Sequence, residues 1–539
     1  MFDFSSYLPR VSPKIDGELM LLPAPKLDWE ERLCRRMSFR NERNLYHRNC
    51  SLSSERCVSF HREENGYQVI EQSQWWADDW DALEYGRAFD FSKTFFEQFA
   101  ELQRAVPKMS MIINRCENSD YGPYSVDSKN CYMSMSCIAS EDMYHCFHAH
   151  QSKDCADCLV CNHCELCYEC IDCLNLFDSQ FCQNCENSSG LLYCSDLQGC
   201  SDCIACKNLV RKSNYILNKP ASAEQIASLK EKLKSHTYRS EFAKKVQAAF
   251  VKQAHRATRL INCENVCGDY LINCKNSYHC FYCSHLEDCA YAVFCPQNNK
   301  DCVDIIYTPQ SELIYECISP VGSYHSAFLS HAWENKFSYY LMECFYSEHL
   351  FACIGLKKEQ YCILNKKYSE KDYFSLLKKI IAHMKETGEW GEFFPTSLSP
   401  YAYNETIAND FFPLDEDQAK SKGYRWKPLE SANYQAATFE VPDKSEEVSK
   451  EVCSELLACR NTGKNFKIIP AEFKLYKKLD VPLPILCPDE RYRRRFSLRN
   501  KPKLYQRTCA ISKKQIETSF SPKRQEMVVS EKEFLNLLY

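Results

Sequence analysis

From Ile113 to Leu209 every third residue is Cys, Ser, Gly, Ala or a medium-sized aliphatic, and the residues between are mostly polar. The 33 positions hold 17 Cys, 8 Ser, 6 Ile/Met/Leu, one Gly and one Ala, with seven consecutive Cys from Cys155 to Cys173. In an α-helix three residues fall short of a turn, so such a row would wind around the whole circumference. A 3₁₀-helix would align it, but 3₁₀ runs are short. A plain strand alternates at two. Packed polyproline helices need Gly at their crowded axis, and this chain has only 13 Gly. The pattern predicts a narrow coil that turns a corner every few residues and points one side chain in three at its axis, where only slim groups fit. Cys serves there as a small hydrophobe. The predicted axis is Cys137, Cys146, Cys155, Cys158, Cys161, Cys164, Cys167, Cys170, Cys173 and Cys182. Two coil lengths stay open. Cys137 to Cys182 recur at nine, as in nonapeptide β-helices, while Cys146, Cys158, Cys170, Cys182, Cys194 and Cys206 recur at twelve.

The pattern returns at Leu271, Cys274, Ser277, Cys280, Cys283, Leu286, Cys289, Ala292 and Cys295. It slips by one residue, then resumes at Cys302, Ile305, Thr308, Ser311, Ile314 and Cys317 and runs to Leu356. Both arrays leave alike, through YILNK ending at Lys219 and CILNK ending at Lys366, 147 residues apart. Helical patterns follow each exit. Ser222 and Gln225 form a capping box ahead of a stripe of Ile226, Leu229 and Leu233, with Phe242, Val246 and Phe250 making a second. Phe374, Leu377, Ile381 and Met384 form another after the second array. Residues 388–447 read as irregular.

The fold class expected is therefore mainly β: a tandem, narrow, cysteine-rich parallel β-solenoid with helical caps and small α+β terminal modules. The boundaries read as an N-terminal basic and aromatic module at 1–110, a first array at 111–219, a helical insertion at 220–260, a second array at 261–367, a helix and irregular segment at 368–447, and a C-terminal basic module at 448–539.

Residues 23–50 and 482–509 are copies, offset by 459, with 14 of 28 positions identical. They share P-x-P, E-R, R-R, S-x-R-N and L-Y-x-R-x-C. Arg36, Arg40, Arg43, Arg48 and Tyr46 in one copy, and Arg495, Arg499, Lys503, Arg507 and Tyr505 in the other, set cations beside aromatics. That arrangement suits stacking and phosphate contact with nucleic acid, and equally suits arginine packed over tyrosine inside a small fold.

Charge sharpens the choice. Residues 113–209 carry 4 Lys/Arg against 14 Asp/Glu, and residues 487–524 carry 12 against 3, although the whole chain is only −5. The basic stretch could fold back onto an acidic array, bind phosphates, or stay solvated. Thirty-six Cys, no basic-then-apolar leader and no long apolar run lead us to expect a cytoplasmic protein without membrane insertion, whose thiols are reduced or metal-bound.

The motifs RRMSFRNERNLYHRNC, WWADDWDALEYGRAFDFSKTFFEQFAEL, NHCELCYECIDC and FKIIPAEFKLYKKLDVPLPILCPDERYRRRFSLRN together resemble a family of cysteine-rich, zinc-ribbon-flanked proteins of very small, host-dependent bacteria. The family has no established activity, so the resemblance implies architecture, with zinc possible at the terminal modules. This chain departs from paired CxxC ligands. Glu490 stands where a thiol would follow Cys487, Cys509 has no second thiol, and Asp28 and Glu31 replace the first pair. Cys50, Cys57 and His61 remain as candidate ligands, with Cys487 and Cys509 at the other end.

Ser, Leu, Ala, Met and Gly share the register of the array cysteines, which favours a steric filler over a metal ligand. Scattered metal sites, with His145, His148, His150 and His163 nearby, and a redox or disulfide ladder are the alternatives. No phosphate-cradling Gly loop, HExxH or GxSxG stands in the sequence. The functional expectation is a non-enzymatic scaffold that binds a protein partner or self-assembles. The alternatives are an RNA- or ribosome-binding protein acting through its basic ends, and a thiol-based metal or redox protein.

Overall fold

The computed structural model describes residues 4–15, 17–287, 289–293, 297–300, 309–312, 315–319, 322–428, 433–444, 446 and 448–538; the side chains of Phe4, 297–300, 309–312 and Tyr315 are not among those described. Strands make up 29% and helices 26%. The chain forms two units. One joins residues 1–111, 258–428 and 501–504; the other joins 112–257, 429–500 and 505–539. Each unit thus combines one cysteine array with one copy of the end module.

In the unit holding the first array, eleven short strands between Lys129 and Pro220 form one sheet. Every pairing in it is parallel except the last, where Ser213–Ile216 meets Lys219–Pro220 antiparallel. Neighbours pair at a constant offset of twelve: Lys153 with Glu165, Cys161 with Cys173, Leu174 with Glu186, Cys203 with Tyr215. The local cause is a left-handed residue at every third position, each immediately before an inward-facing one, such as Asn130, Asp142, Asp154, Asp157 and Asp172. L-residues enter this region at a cost, least for Asn and Asp. Of 32 such non-glycine residues from Arg115 to Leu217, fifteen are Asn or Asp, so the corner chemistry is written beside the cysteines. Where a bulky residue takes a corner it packs outward: Phe181 stacks on Tyr193 at 4.6 Å with ring planes 2° apart.

The inward positions form one buried cluster running from Cys131 to Cys206. The array is closed by helices Ala223–Lys232 and His236–Val251. The Ser222–Gln225 capping box is present, and Ile226, Leu229 and Leu233 pack on Leu192, Tyr193 and Ile204.

In the other unit, the second array pairs as two six-stranded sheets, Leu260 to Glu312 and Tyr315 to Lys367. Its core uses more carbon: Leu329, Leu341, Leu350 and Leu356 alternate with Cys344, Cys353 and Cys362. Glu264 pairs with Lys275 at an offset of eleven until a bulge at Cys267/Gly268 restores twelve. Gly268 is required there, because a Cβ would lie 1.9 Å from the Cys280 carbonyl oxygen. Leu286 pairs with Asn299 at an offset of thirteen, the one-residue slip read in the sequence. Cys295, Cys302, Ile305, Thr308 and Ile314 lie outside the described residues, as does the side chain of Ser311.

Helix Glu370–Glu386 follows, burying Leu377, Ile381 and Met384 with Tyr373 and Ile380, while Phe374 is only partly covered. The stretch read as irregular contains short helices at Thr396–Leu398, Tyr403–Glu405, Ile407–Phe411 and Glu416–Ser421. Trp390, Phe393 and Phe394 from this stretch are buried in the same core.

Candidate functional site

The inward cysteines of the first array are 0–2% exposed from Cys137 to Cys206. The Cys146 thiol donates to the carbonyl oxygens of Tyr144, two residues back (3.5 Å), and Cys155, nine residues on (3.4 Å). Ser128 donates to Val126 and Cys137 at 2.9 and 3.0 Å, and the Asn335 amide in the second array to Trp333 and Cys344 at 3.0 and 2.8 Å. The backbone N–H twelve residues on returns to the same side chain: Ser140 to Ser128 (3.1 Å), Ser347 to Asn335 (3.3 Å), Asn218 to the Cys206 sulfur (3.3 Å). Cys, Ser and Asn therefore fill one role, satisfying backbone groups that face the axis. Both sequence rhythms acquire a meaning, twelve for strand pairing and nine for the side-chain bond to a carbonyl of the neighbouring strand segment. Burial pushes the Cys146, Cys170, Cys182, Cys280 and Cys353 thiols well above the ordinary value. At neutral pH these groups are protonated donors, poor nucleophiles and poor ligands.

Arg36 and Arg495 lie on helices Trp29–Met37 and Pro488–Phe496, and Arg40 and Arg499 follow just beyond the helix ends. In the second helix Arg495 bridges Asp157 (2.9 Å) and Glu169 (3.1 Å) of the first array. Arg491 also reaches Asp157 (3.1 Å), Arg494 reaches Glu169 (2.5 Å), and Arg499 reaches Asp172 (3.0 Å). Burial would raise the Glu169 carboxyl, but Arg494 and Arg495 outweigh it and hold the group below its ordinary value. Glu472 sits beside them, 3.7 Å from Arg491 and 3.4 Å from His145.

The first helix repeats this dock on the second array. Arg35 and Arg32 approach Glu316 at 3.4 and 3.9 Å, Arg36 is fully buried, and Arg40 bonds Ser319 and Glu42. The two sequence offsets agree: 459 relates Arg36 to Arg495, and 147 relates Glu169 to Glu316 and Asp172 to Ser319.

These placements give the arginines partners within the fold, the packed arrangement weighed in the sequence against a phosphate-facing one. Arg36, Arg40, Arg48, Arg495 and Arg499 are buried. Arg48 donates to the carbonyls of His61, Arg62 and Tyr67. Arg43 pairs with Asp410 at 2.9 Å. The Tyr46 hydroxyl donates to Glu405, with the Lys427 ammonium 4.9 Å from its ring centroid. Lys503 pairs with Glu30, Arg507 donates to the carbonyls of Ser521 and Glu526, and Tyr505 pairs with Thr518 across a hairpin.

The metal candidates do not assemble either. His61 is buried against Tyr401, its imidazole pulled well below the ordinary value by burial. Cys50 and Cys57 sit on one hairpin, and Cys487 and Cys509 belong to different turns. Among the described residues no group of three or more His, Cys, Asp or Glu is arranged to hold a metal ion. Structural zinc takes four N or S ligands, so these side chains do not fit it.

What does recur is a turn. Cys50, Cys459 and Cys509 each open a hairpin turn in which the cysteine N–H donates to the carbonyl five residues on and its carbonyl accepts from a left-handed residue four on: Ser54, Gly463 and Lys513. The sulfur accepts N–H groups from within the turn and one from the start of a helix: Glu71 to Cys50 (3.3 Å), Cys487 to Cys459, Ser530 to Cys509 (3.3 Å). Burial raises each thiol, yet these donors prevail, leaving Cys50 below its ordinary value, Cys459 at about 7 and Cys509 at about 6. Cys459 had no signal as a ligand pair. The pattern Cys-x-x-Ser/Thr at 50–53, 459–462 and 509–512 could have found it.

The chain matches no family model, no curated protein and no solved structure. Its chemistry is therefore read from geometry: a buried thiol column, two arginine docks, and three turns in which backbone N–H groups face a sulfur. No helix among the described residues is long and apolar enough to cross a membrane.

Proposed function

We propose that the chain is a non-enzymatic scaffold: two narrow solenoids of twelve residues per coil, filled with cysteine, each capped by helices and clamped by an arginine helix, that offer their outer faces to a protein partner or to further copies. The observation that carries this is the equivalence of Cys, Ser and Asn at the axis. A side chain that can be exchanged without altering its hydrogen bonds is filling space and satisfying backbone. Stacked repeats give flat, extended binding faces. The corners support such a face with side-chain ladders: Asn118 to Asn130 to Asp142, each step 2.9 Å, and the rings of Phe337, His349 and Tyr361 stacked 5.2–5.3 Å apart. All the described cysteines are free thiols, which supports a reducing, cytoplasmic setting. Membership of the cysteine-rich family of small host-dependent bacteria belongs to the same proposal and rests on the motif string.

Titration of the native chain with a thiol reagent, together with sedimentation over a range of concentrations, tests the reading. We expect the array thiols to react only after denaturation, and a concentration-dependent rise in sedimentation coefficient or a saturable protein partner. Rapid reaction of most thiols in the native state would sink it. The RNA reading is disfavoured by the burial of the arginines; tight, salt-dependent RNA binding would restore it.

A further inference from the structure

We propose that Cys459 and Cys487 form a reactive dithiol, which a low-molecular-weight disulfide converts into an intramolecular disulfide. The three cysteine turns supply the first observation. In each, a sulfur sits at the head of a hairpin turn and faces the start of a helix. At two of them the facing residue is Glu71 or Ser530. Only at the third is it another cysteine, Cys487, the N-cap of helix Pro488–Phe496.

The turn is held against that helix start: the Arg460 N–H donates to the Ile485 carbonyl at 3.0 Å, the Asn461 amide donates to Glu490 at 3.3 Å, and both thiols belong to one buried cluster. They are not equivalent. Cys459 receives the N–H groups of Asn461, Thr462 and Cys487 and the Thr462 hydroxyl, so its thiolate is stabilised, whereas burial raises Cys487. This is the division of labour of an attacking and a resolving thiol. Access differs from the arrays too. Both side chains are covered, but the turn Arg460–Lys464 lies in solvent, so a small local opening uncovers Cys459. A metal is the competing occupant of any thiol pair, but no third His, Cys, Asp or Glu joins these two in a metal-holding group among the described residues.

With glutathione disulfide the chemistry balances. The Cys459 thiolate attacks one glutathione sulfur, forming a mixed disulfide and expelling one glutathione thiolate, which takes up a proton. Cys487 loses its proton to solvent and attacks the Cys459 sulfur, expelling the second glutathione. Two protein thiols are oxidised and one disulfide is reduced to two thiols. The new bond would tie the hairpin Leu457–Ala458/Asn465–Phe466 to the first turn of the helix that carries Arg491 and Arg495 into the array.

The full chain, first dialysed against a chelator and assayed for zinc, is treated with glutathione disulfide, quenched with an alkylating agent and mapped by non-reducing peptide mass spectrometry. We expect two glutathione released per chain and a linked peptide pair containing Cys459 and Cys487, formed on the order of a hundredfold faster than any array modification, because array thiols react only through opening. Cys487→Ser should retain glutathione on Cys459; Cys459→Ser should release none. Absence of the linked pair, earlier linkage among array thiols such as Cys158 and Cys170, or zinc held by these two sulfurs would overturn the proposal. If either variant fails to fold, the map of the unaltered chain decides.

Discussion

The two arginine helices are one sequence used twice, and they neutralise the same buried guanidinium in different ways. On the first array Arg499 meets Asp172, supplied by the array. On the second array the matching position is Ser319, and Arg40 takes its carboxylate from Glu42, two residues along its own module. The counterpart of Glu42 in the other module is Lys501. A negative charge has moved from the array to the clamp, and the positive charge beside it has gone. The lesson is that the dock requires a carboxylate on the guanidinium and does not require it from a particular side. In the first dock Asp157 and Glu169 each hold two arginines.

The largest effect should come from breaking that dock. Glu169→Gln leaves the buried Arg495 with one carboxylate fewer, removes the partner of the half-exposed Arg494, and should destabilise its unit by about 3–5 kcal/mol, the range for an orphaned buried charge. Urea unfolding, with hydrogen exchange to locate the loss in the first array, reads it. A smaller loss, about 3 kcal/mol, is expected for Glu42→Lys on the other dock. Adding Ser319→Asp should recover most of it, because the double variant copies the first dock. A double-mutant cycle without coupling would refute the charge exchange.

Acid should weaken the unit of the first array through its histidines. His236 and His255 are pulled down to about 4, chiefly by burial. For a base held below its unfolded value of 6.5, the unfolded state binds more protons between the two, so stability is full above pH 6.5 and falls as pH drops towards 4. Melting temperatures across that window should decline, and His255→Gln should flatten the slope.

The smallest effect separates the helix starts. Asp28 caps its helix, accepting the Glu31 N–H at 3.0 Å, while Cys487 makes no side-chain cap bond. Asp28→Ala should cost about 1 kcal/mol; Cys487→Ala should cost less at the cap, measured by the same urea curves.

The strand-rich, parallel character of the arrays was legible because the constraint is local: three-residue spacing and slim side chains mark the positions that are buried together. The corner preference was also in the text, as Asn or Asp directly before Cys, Ser or Leu at Asp154, Asp172 and Asn175, but the cysteines drew attention from it. The docks were not legible. The repeat at 459 and the repeat at 147 were each visible, yet nothing in the order of the chain says that the N-terminal helix serves the second array and the C-terminal helix the first. That pairing depends on folding the chain back over several hundred residues. The basic residues looked like a nucleic-acid surface because composition gives charge but not burial, and Arg36, Arg40, Arg495 and Arg499 are all interior. Cys459 was missed because its turn keeps one thiol and a Thr462 in place of the second.

The offset of twelve, constant through the first array, has a consequence for how such a molecule can change. Strands one coil apart stand about 4.8 Å from each other, and the side-chain bonds reach only the adjoining coil. Inserting or deleting a whole set of twelve residues would leave the surviving neighbours unaltered while moving the two ends by one step. The arrays can be cut to length like a ruler, and odd lengths demand a device such as the bulge at Gly268.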